Sequence, residues 1–279
     1  AGGAGLDVDE VFSTYLYDGT GSALTINNGL DLSGEGGLVW TKRRDLAGNG
    51  HMLVDTARGG SSFLKSHTTD VANTSYTLIN SFNSNGYTLS TNGWVNGSGD
   101  SVCSWTFRKA PKFFDVVTYT GDDSGNVVKS HSLGSTPGMI IIKNLSSNTG
   151  WDVFHRSTTN GLGTGRLFLH LTNAEDNTST QFLTADSSSI TLTHSIVKTG
   201  GENYVAYLFA HNNSDGEFGP DSDQDIIKCG SYTGNGSTTG PEINLGFEPQ
   251  WLLIKDVSTS DENWQIFDQM RGMPVGGQP

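Results

Sequence analysis

Three aspartates alternate in Asp221-Ser222-Asp223-Gln224-Asp225, and alternating carboxylates are how a calcium loop begins. The pattern goes no further: no glycine stands at its sixth place and no glutamate at its twelfth. A solvated acidic linker is the simpler reading of those residues. The seven histidines, His51, His67, His131, His155, His170, His194 and His211, fall at no spacing that suits a metal or a nucleophile. There is no nucleophile elbow, phosphate-binding loop or dinucleotide fingerprint. A glycosidase would need two carboxylates facing each other across a cleft, whereas the acids here cluster in turns and glutamate is scarce. The expectation is therefore a protein that is not an enzyme and needs no cofactor. Trp94, in the polar loop Asn92-Gly93-Trp94-Val95-Asn96-Gly97, is the candidate for contact with a ligand or partner, because an exposed indole there could stack on a sugar.

The remaining reactive groups read as structural. Cys103 and Cys229 each lie in an apolar or aromatic run, so both are expected to be buried free thiols. The net charge of −13 and the absence of a basic patch exclude a duplex-binding surface. Lys42-Arg43-Arg44 and Arg108-Lys109 are too short to make one. No stretch approaches the roughly 20 apolar residues of a membrane span. Acidity of this size suits solubility and repulsion between crowded copies.

The elements that carry these residues are strands. Glycine is frequent, at 37 residues, and the charged fraction is 16%, which is too low in Glu and Lys for a helical protein. A motif with a tyrosine, a glycine two places on and a serine three further recurs at Tyr17, Tyr119 and Tyr232. Apolar runs ending in Lys42, Lys143 and Lys255 form a second recurring block, with intervals of 101 and 112 residues. A third block is an apolar strand closed by a polar turn: Met52-Leu53-Val54-Asp55-Thr56-Ala57-Arg58-Gly59 and Gln265-Ile266-Phe267-Asp268-Gln269-Met270-Arg271-Gly272. Its middle version, Trp151 to Arg156, replaces the aspartate with His155. Ser104-Trp105-Thr106-Phe107 returns as Ala206-Tyr207-Leu208-Phe209, 102 residues later.

A period of this length marks a tandem array. Alternation at Val116 to Tyr119 has the strand period, Asn85-Gly86 between apolar runs signals a hairpin, and Met139-Ile140-Ile141-Ile142, apolar on both faces, is a buried central strand. The expected fold is all-β: tandem β-sandwich repeats, jelly-roll or lectin-like, of about 102 residues. The expected boundaries are an N-terminal arm at 1–10, repeat one at 11–110, repeat two at 111–213, an acidic linker at 214–224 and a partial repeat three at 225–279. A half sandwich cannot bury its core, so the natural chain is expected to continue. Trp40, Trp105, Trp251 and Trp264 lie in repeat-matched apolar strands and are expected in the core. Lys42 is expected to superimpose on Lys143, and Phe107 on Phe209.

The blocks Val11 to Tyr17, Gly34 to Trp40, Trp105 to Ala110 and Gly246 to Trp251 resemble a repeated domain of tail-fibre-like virion structural proteins of marine cyanobacterial tailed bacteriophages. The likeness runs from about Val11 to Met273. It implies a virion structural protein, and in particular the N-terminal, particle-attached part of a tail fibre involved in host adhesion. The implied partners are other tail or capsid proteins and further copies of the chain, as a trimer, with a host surface glycan as a further partner. Nucleic acid and membrane are not among them. A lectin-like carbohydrate-binding module and a capsid decoration protein are the other readings. The likeness carries over no catalytic residues.

Overall fold

The computed structural model describes residues 5–273, so Ala1–Ala4 of the expected arm and residues 274–279 lie outside the described residues. Its regular elements are almost all antiparallel strands. The first eight are β1 (Phe12–Asp18), β2 (Leu24–Asn27), β3 (Gly37–Arg43), β4 (Met52–Asp55), β5 (Phe63–Lys65), β6 (Ile79–Asn83), β7 (Gly86–Leu89) and β8 (Ser101–Arg108). They form a five-stranded sheet in the order β1-β8-β3-β4-β5 and a three-stranded sheet in the order β2-β7-β6. A single helical turn, α1 (Gly93–Asn96), sits between β7 and β8.

The next eight are β9 (Phe114–Thr120), β10 (Val127–Ser130), β11 (Met139–Asn144), β12 (Trp151–His155), β13 (Leu167–Phe168), β14 (Leu183–Ala185), β15 (Ser189–Leu192) and β16 (Asn203–Phe209). Their sheets run β9-β16-β11-β12-β13 and β10-β15-β14. Strand for strand, the two orders coincide. The register coincides as well: Phe12 faces Phe107 as Phe114 faces Phe209, and Tyr17 faces Val102 as Tyr119 faces Tyr204. A last hairpin, β17 (Trp251–Ile254) with β18 (Gln265–Asp268), corresponds to β3–β4 and β11–β12. These three units are called modules one, two and three below.

The hairpin expected at Asn85-Gly86 turns one residue earlier. Asn83 pairs with Gly86, so Ser84-Asn85 is the loop and Gly86 opens β7 at φ 119°. A Cβ on Gly86 would meet the Ile26 carbonyl oxygen of the neighbouring strand, so both the backbone angle and the space require glycine.

Each five-stranded sheet is buried on both faces. The outward residues of module one, including Val39, Val54 and Val102, pack under its three-stranded sheet against Ile26, Ile79, Tyr87 and Leu89. Module two does the same with Ile140, Ile142, Phe154 and Leu208 against Leu183, Ile190 and Leu192. The inward residues do not stay within one module. Trp40, Trp105 and Phe107, Ile141, Tyr207 and Phe209, and the half-buried Trp251 and Trp264 belong to one continuous core. All six residues of β11 are buried, as its two-sided apolar pattern predicts.

The segment expected to be a solvated acidic linker is instead packed, and the described part of the arm packs with it. In the segment 214–224, Phe218 is buried and meets Phe113 edge-on at 6.4 Å. Leu6, in the described part of the arm, bridges to Phe218, and its carbonyl accepts from the Gly219 N–H at 3.0 Å. The linker and arm therefore lie along their own chain.

Trp105 is fully buried at the centre of β8. Trp105→Ala should destabilise the protein by about 3–5 kcal/mol in urea unfolding. A loss under about 1 kcal/mol would place the ring at the surface.

Candidate functional site

The turn after β4 has the sequence Asp55-Thr56-Ala57-Arg58-Gly59, and the turn after β18 has Asp268-Gln269-Met270-Arg271-Gly272. Each aspartate accepts the N–H of the arginine three residues on, at 2.9 Å in both turns. The arginine side chain folds back to bind the same carboxylate and a β-strand carbonyl, Leu53 in one turn and Ile266 in the other. The glycine follows with φ 84° or 104°, a backbone region that disfavours other residues. Asp-x-x-Arg-Gly thus builds a compact polar knuckle with a buried carboxylate at its tip.

Each knuckle grips an aromatic side chain of another module. Tyr207 OH donates to Asp55 Oδ2 at 2.8 Å and accepts from Arg58 Nη2 at 3.1 Å. Burial alone would weaken the charge on Arg58, but Tyr207 and Asp55 outweigh it and hold the guanidinium pKa above its ordinary value. Trp105 Nε1 donates to Asp268 Oδ2 at 3.0 Å, and the Arg271 guanidinium lies over the Trp105 ring at 4.8 Å. Trp105 and Tyr207 occupy the same position of β8 and β16. One device is used twice, once from module one to module two and once from module three to module one.

A second set of contacts joins the modules from the other side. Trp151 Nε1, in module two, donates to the Lys65 and Thr68 carbonyls of module one, each at 3.1 Å. Trp264 Nε1, in module three, donates to the Phe168 carbonyl of module two at 2.9 Å. The buried Lys143 Nζ reaches the Thr69 carbonyl at 3.3 Å, and Lys255 Nζ reaches the Thr172 carbonyl at 3.3 Å. Burial lowers the Lys143 pKa to about 8. The three recurring lysines share one role. Their ammonium groups tie the loop after each strand, and two of them also cross to the neighbouring module.

Behind this frame sit the titrating groups. Trp40 Nε1 donates to His51 Nδ1 at 2.9 Å, and the imidazole stacks on Trp105 at 5.8 Å. Burial lowers the His51 pKa to about 3 and that of His155 to about 4. Cys103 and Cys229 are buried and unbridged, and burial pushes both thiols up to about 12.

The residues singled out from the sequence fall elsewhere. Trp94 is half-buried on α1 and packs edge-on against Phe63 at 5.2 Å and Tyr76 at 5.4 Å, with Lys65 Nζ 5.1 Å from its ring centre. A groove of about 310 Å³, lined by Lys65, Asp70, Asn73 and Asn148, opens nearby. Asp225 does not join a cation loop: its carboxylate accepts the N–H groups of Ser214 and Gly216 at 2.8 and 2.9 Å and closes the 214–225 loop. Asp221 and Asp223 are exposed. Among the described residues, no cluster of three or more His, Cys, Asp and Glu side chains could hold a metal ion. The knuckle went unassigned in the sequence, although its signal, Asp-x-x-Arg-Gly returning after 213 residues, was visible.

Residues 7–275 match the family described as a domain of unknown function, DUF7483. The chain belongs to that family. No curated protein and no solved structure matches it. The description of the DUF7483 family assigns no chemistry to these seams.

Three measurements check this site. Asp55→Ala leaves Arg58 charged and buried without its carboxylate, and should cost about 3–5 kcal/mol in urea unfolding. Asp268→Ala leaves the Trp105 Nε1 donor unpaired beside a more exposed arginine, and should cost about 1–3 kcal/mol. Stability should also fall with acid. His51 and His155 have folded pKa values below the unfolded value of 6.5, so their contribution is complete above about pH 6.5 and is lost progressively toward pH 4 and below. His51→Asn, which keeps an acceptor for Trp40, should flatten that slope; an unchanged slope would contradict the assignment.

Proposed function

We propose that the chain is a phage virion structural protein, the particle-attached N-terminal part of a tail fibre, with no catalytic role. The resemblance of the Val11–Tyr17, Gly34–Trp40 and Trp105–Ala110 blocks to tail-fibre-like virion proteins supplies the class. The observation that carries the reading is the continuous inner core, in which sheets of modules one and two and the hairpin of module three share aromatic contacts. Phe107 touches Phe209 at 5.4 Å and Trp251 at 5.3 Å. A chain welded in this way resists bending between modules, which suits a stalk or a socket. The net charge of −13 supports solubility at high local copy number. Other virion proteins are the proposed partners, and a trimer of chains is the proposed copy number, by analogy with fibres.

Cryo-electron microscopy of the intact particle tests the placement. Density fitting modules one and two at the tail or its collar is expected. Density spread over the capsid would favour a decoration protein, and no density on the particle would overturn the virion reading. Native mass measurement tests the copy number.

A lectin-like role has one specific observation behind it. Tyr76 is 53% exposed and meets Trp94 beside the polar groove that holds Asn73 and Asn148. Aromatic faces next to amide groups are what a sugar ring uses. On this reading the purified chain binds on a glycan array, and Tyr76→Ala lowers the binding about tenfold or more. Equal binding by the variant would remove this groove from consideration.

A further inference from the structure

The contacts between modules have a direction, and it closes on itself. Module one's knuckle, Asp55–Arg58, grips module two at Tyr207. Module three's knuckle, Asp268–Arg271, grips module one at the equivalent Trp105. The tryptophan and lysine contacts run from module two back to module one and from module three back to module two. A linear row of modules has no contact between its first and last members. Here that contact exists, and it is of the same kind and sense as the one between modules one and two. The three modules therefore stand in a ring, a threefold arrangement made within one chain. Phe107, Phe209 and Trp251 meet near its middle.

The third sector of this ring is open in specific ways. Tyr17 and Tyr119 are each 8% exposed, whereas the matching Tyr232 is 51% exposed. Val54 and Phe154 are buried, whereas Phe267, at the same position of β18, is 44% exposed. β3 and β11 are paired on both edges, whereas among the described residues β17 is paired only with β18. Residues 227–233, which match the strand formed by β1 and β9, are not in a strand. Each difference falls where the first two modules place β8 or β16 and their three-stranded outer sheet.

We propose that the ring is closed by a half-module of this same repeat type, continuous with β18. It supplies one strand like β8 and β16, which inserts between β17 and residues 227–233, and an outer three-stranded sheet over Leu252, Phe267 and Tyr232. The aromatic residue at the Trp105 position of that strand seats against His155, the residue that replaces the knuckle aspartate in module two. The occupant is fixed by continuity with an interface already built twice, and this inference stands independently of the virion reading.

The test extends the full chain at its C-terminus with a second copy of residues 67–110, the segment that follows the equivalent point of module one. A shuffled extension is the control. Amide hydrogen exchange at Trp251–Ile254 and at 227–233 should slow by about tenfold or more with the repeat extension only. The two extended proteins should show the same copy number as the unextended chain by native mass. In a second arm, a peptide of sequence Ser101–Arg108 with solubilising lysines is added in trans to the unextended chain, against a scrambled peptide. Slowing by the native sequence alone supports the proposal even if the extended chain fails to fold. Equal behaviour of native and scrambled sequences overturns it. So does protection of β17 that arises from dimerisation through Tyr232 and Phe267, since a second copy would then be the occupant.

Discussion

The rest of the structure depends on the shared inner core, where Phe107, Phe209 and Trp251 pack edge-to-face at 5.3–5.4 Å across three modules. An ordinary β-sandwich buries one face of each sheet and shows the other to water. Here the five-stranded sheets have no wet face. The outward side is covered by a three-stranded sheet of the same module, and the inward side by the neighbouring modules. A module removed from its neighbours would expose Trp40, Trp105 and Phe107, or Ile141, Tyr207 and Phe209. The modules are thus repeats in topology but not independent in energy, unlike a chain of self-sufficient beads.

That constraint explains the polar groups at the seams. An apolar core shared by three sheets is non-directional and leaves their relative rotation loosely set. Buried hydrogen bonds set it. Tyr207 between Asp55 and Arg58, Trp151 on the Lys65 and Thr68 carbonyls, and Lys143 on Thr69 each satisfy a donor only when the modules meet at one angle. The same groups are costly if misaligned, because each would then be buried without a partner. The recurrence of this geometry at Trp264, Lys255 and Asp268 follows from the recurrence of the sequence blocks that encode it.

Much of the fold was legible. Recurring tyrosine–glycine–serine turns, two-sided apolar strands and the 102-residue offset between Trp105 and Tyr207 gave an all-β chain, and β11 is buried throughout as its sequence demands. The two-sided pattern also held the clue that went unused, since a strand apolar on both faces in a two-layer sandwich needs a cover on each side. Segment 214–224 read as an acidic linker because its charges dominate its composition. Phe218, a single apolar residue among them, decides its packing instead. Asp221, Asp223 and Asp225 read as the start of a cation loop by spacing, yet Asp225 spends its carboxylate on the Ser214 and Gly216 N–H groups, a choice set by backbone geometry that spacing does not encode. Trp94 was placed in a loop and is found on a single helical turn, half-buried between Phe63 and Tyr76, so its environment depends on residues far away in sequence.

The central claim is that modules one and two share one core, and hydrogen exchange on a single variant tests it directly. Phe107→Ala removes a ring of module one that faces Phe209 of module two. The account predicts that amides of β16, Asn203–Phe209, lose protection along with those of β8, because the cavity opens into both modules. Loss of protection confined to residues 11–110, with β16 exchanging as in the unaltered protein, would contradict it.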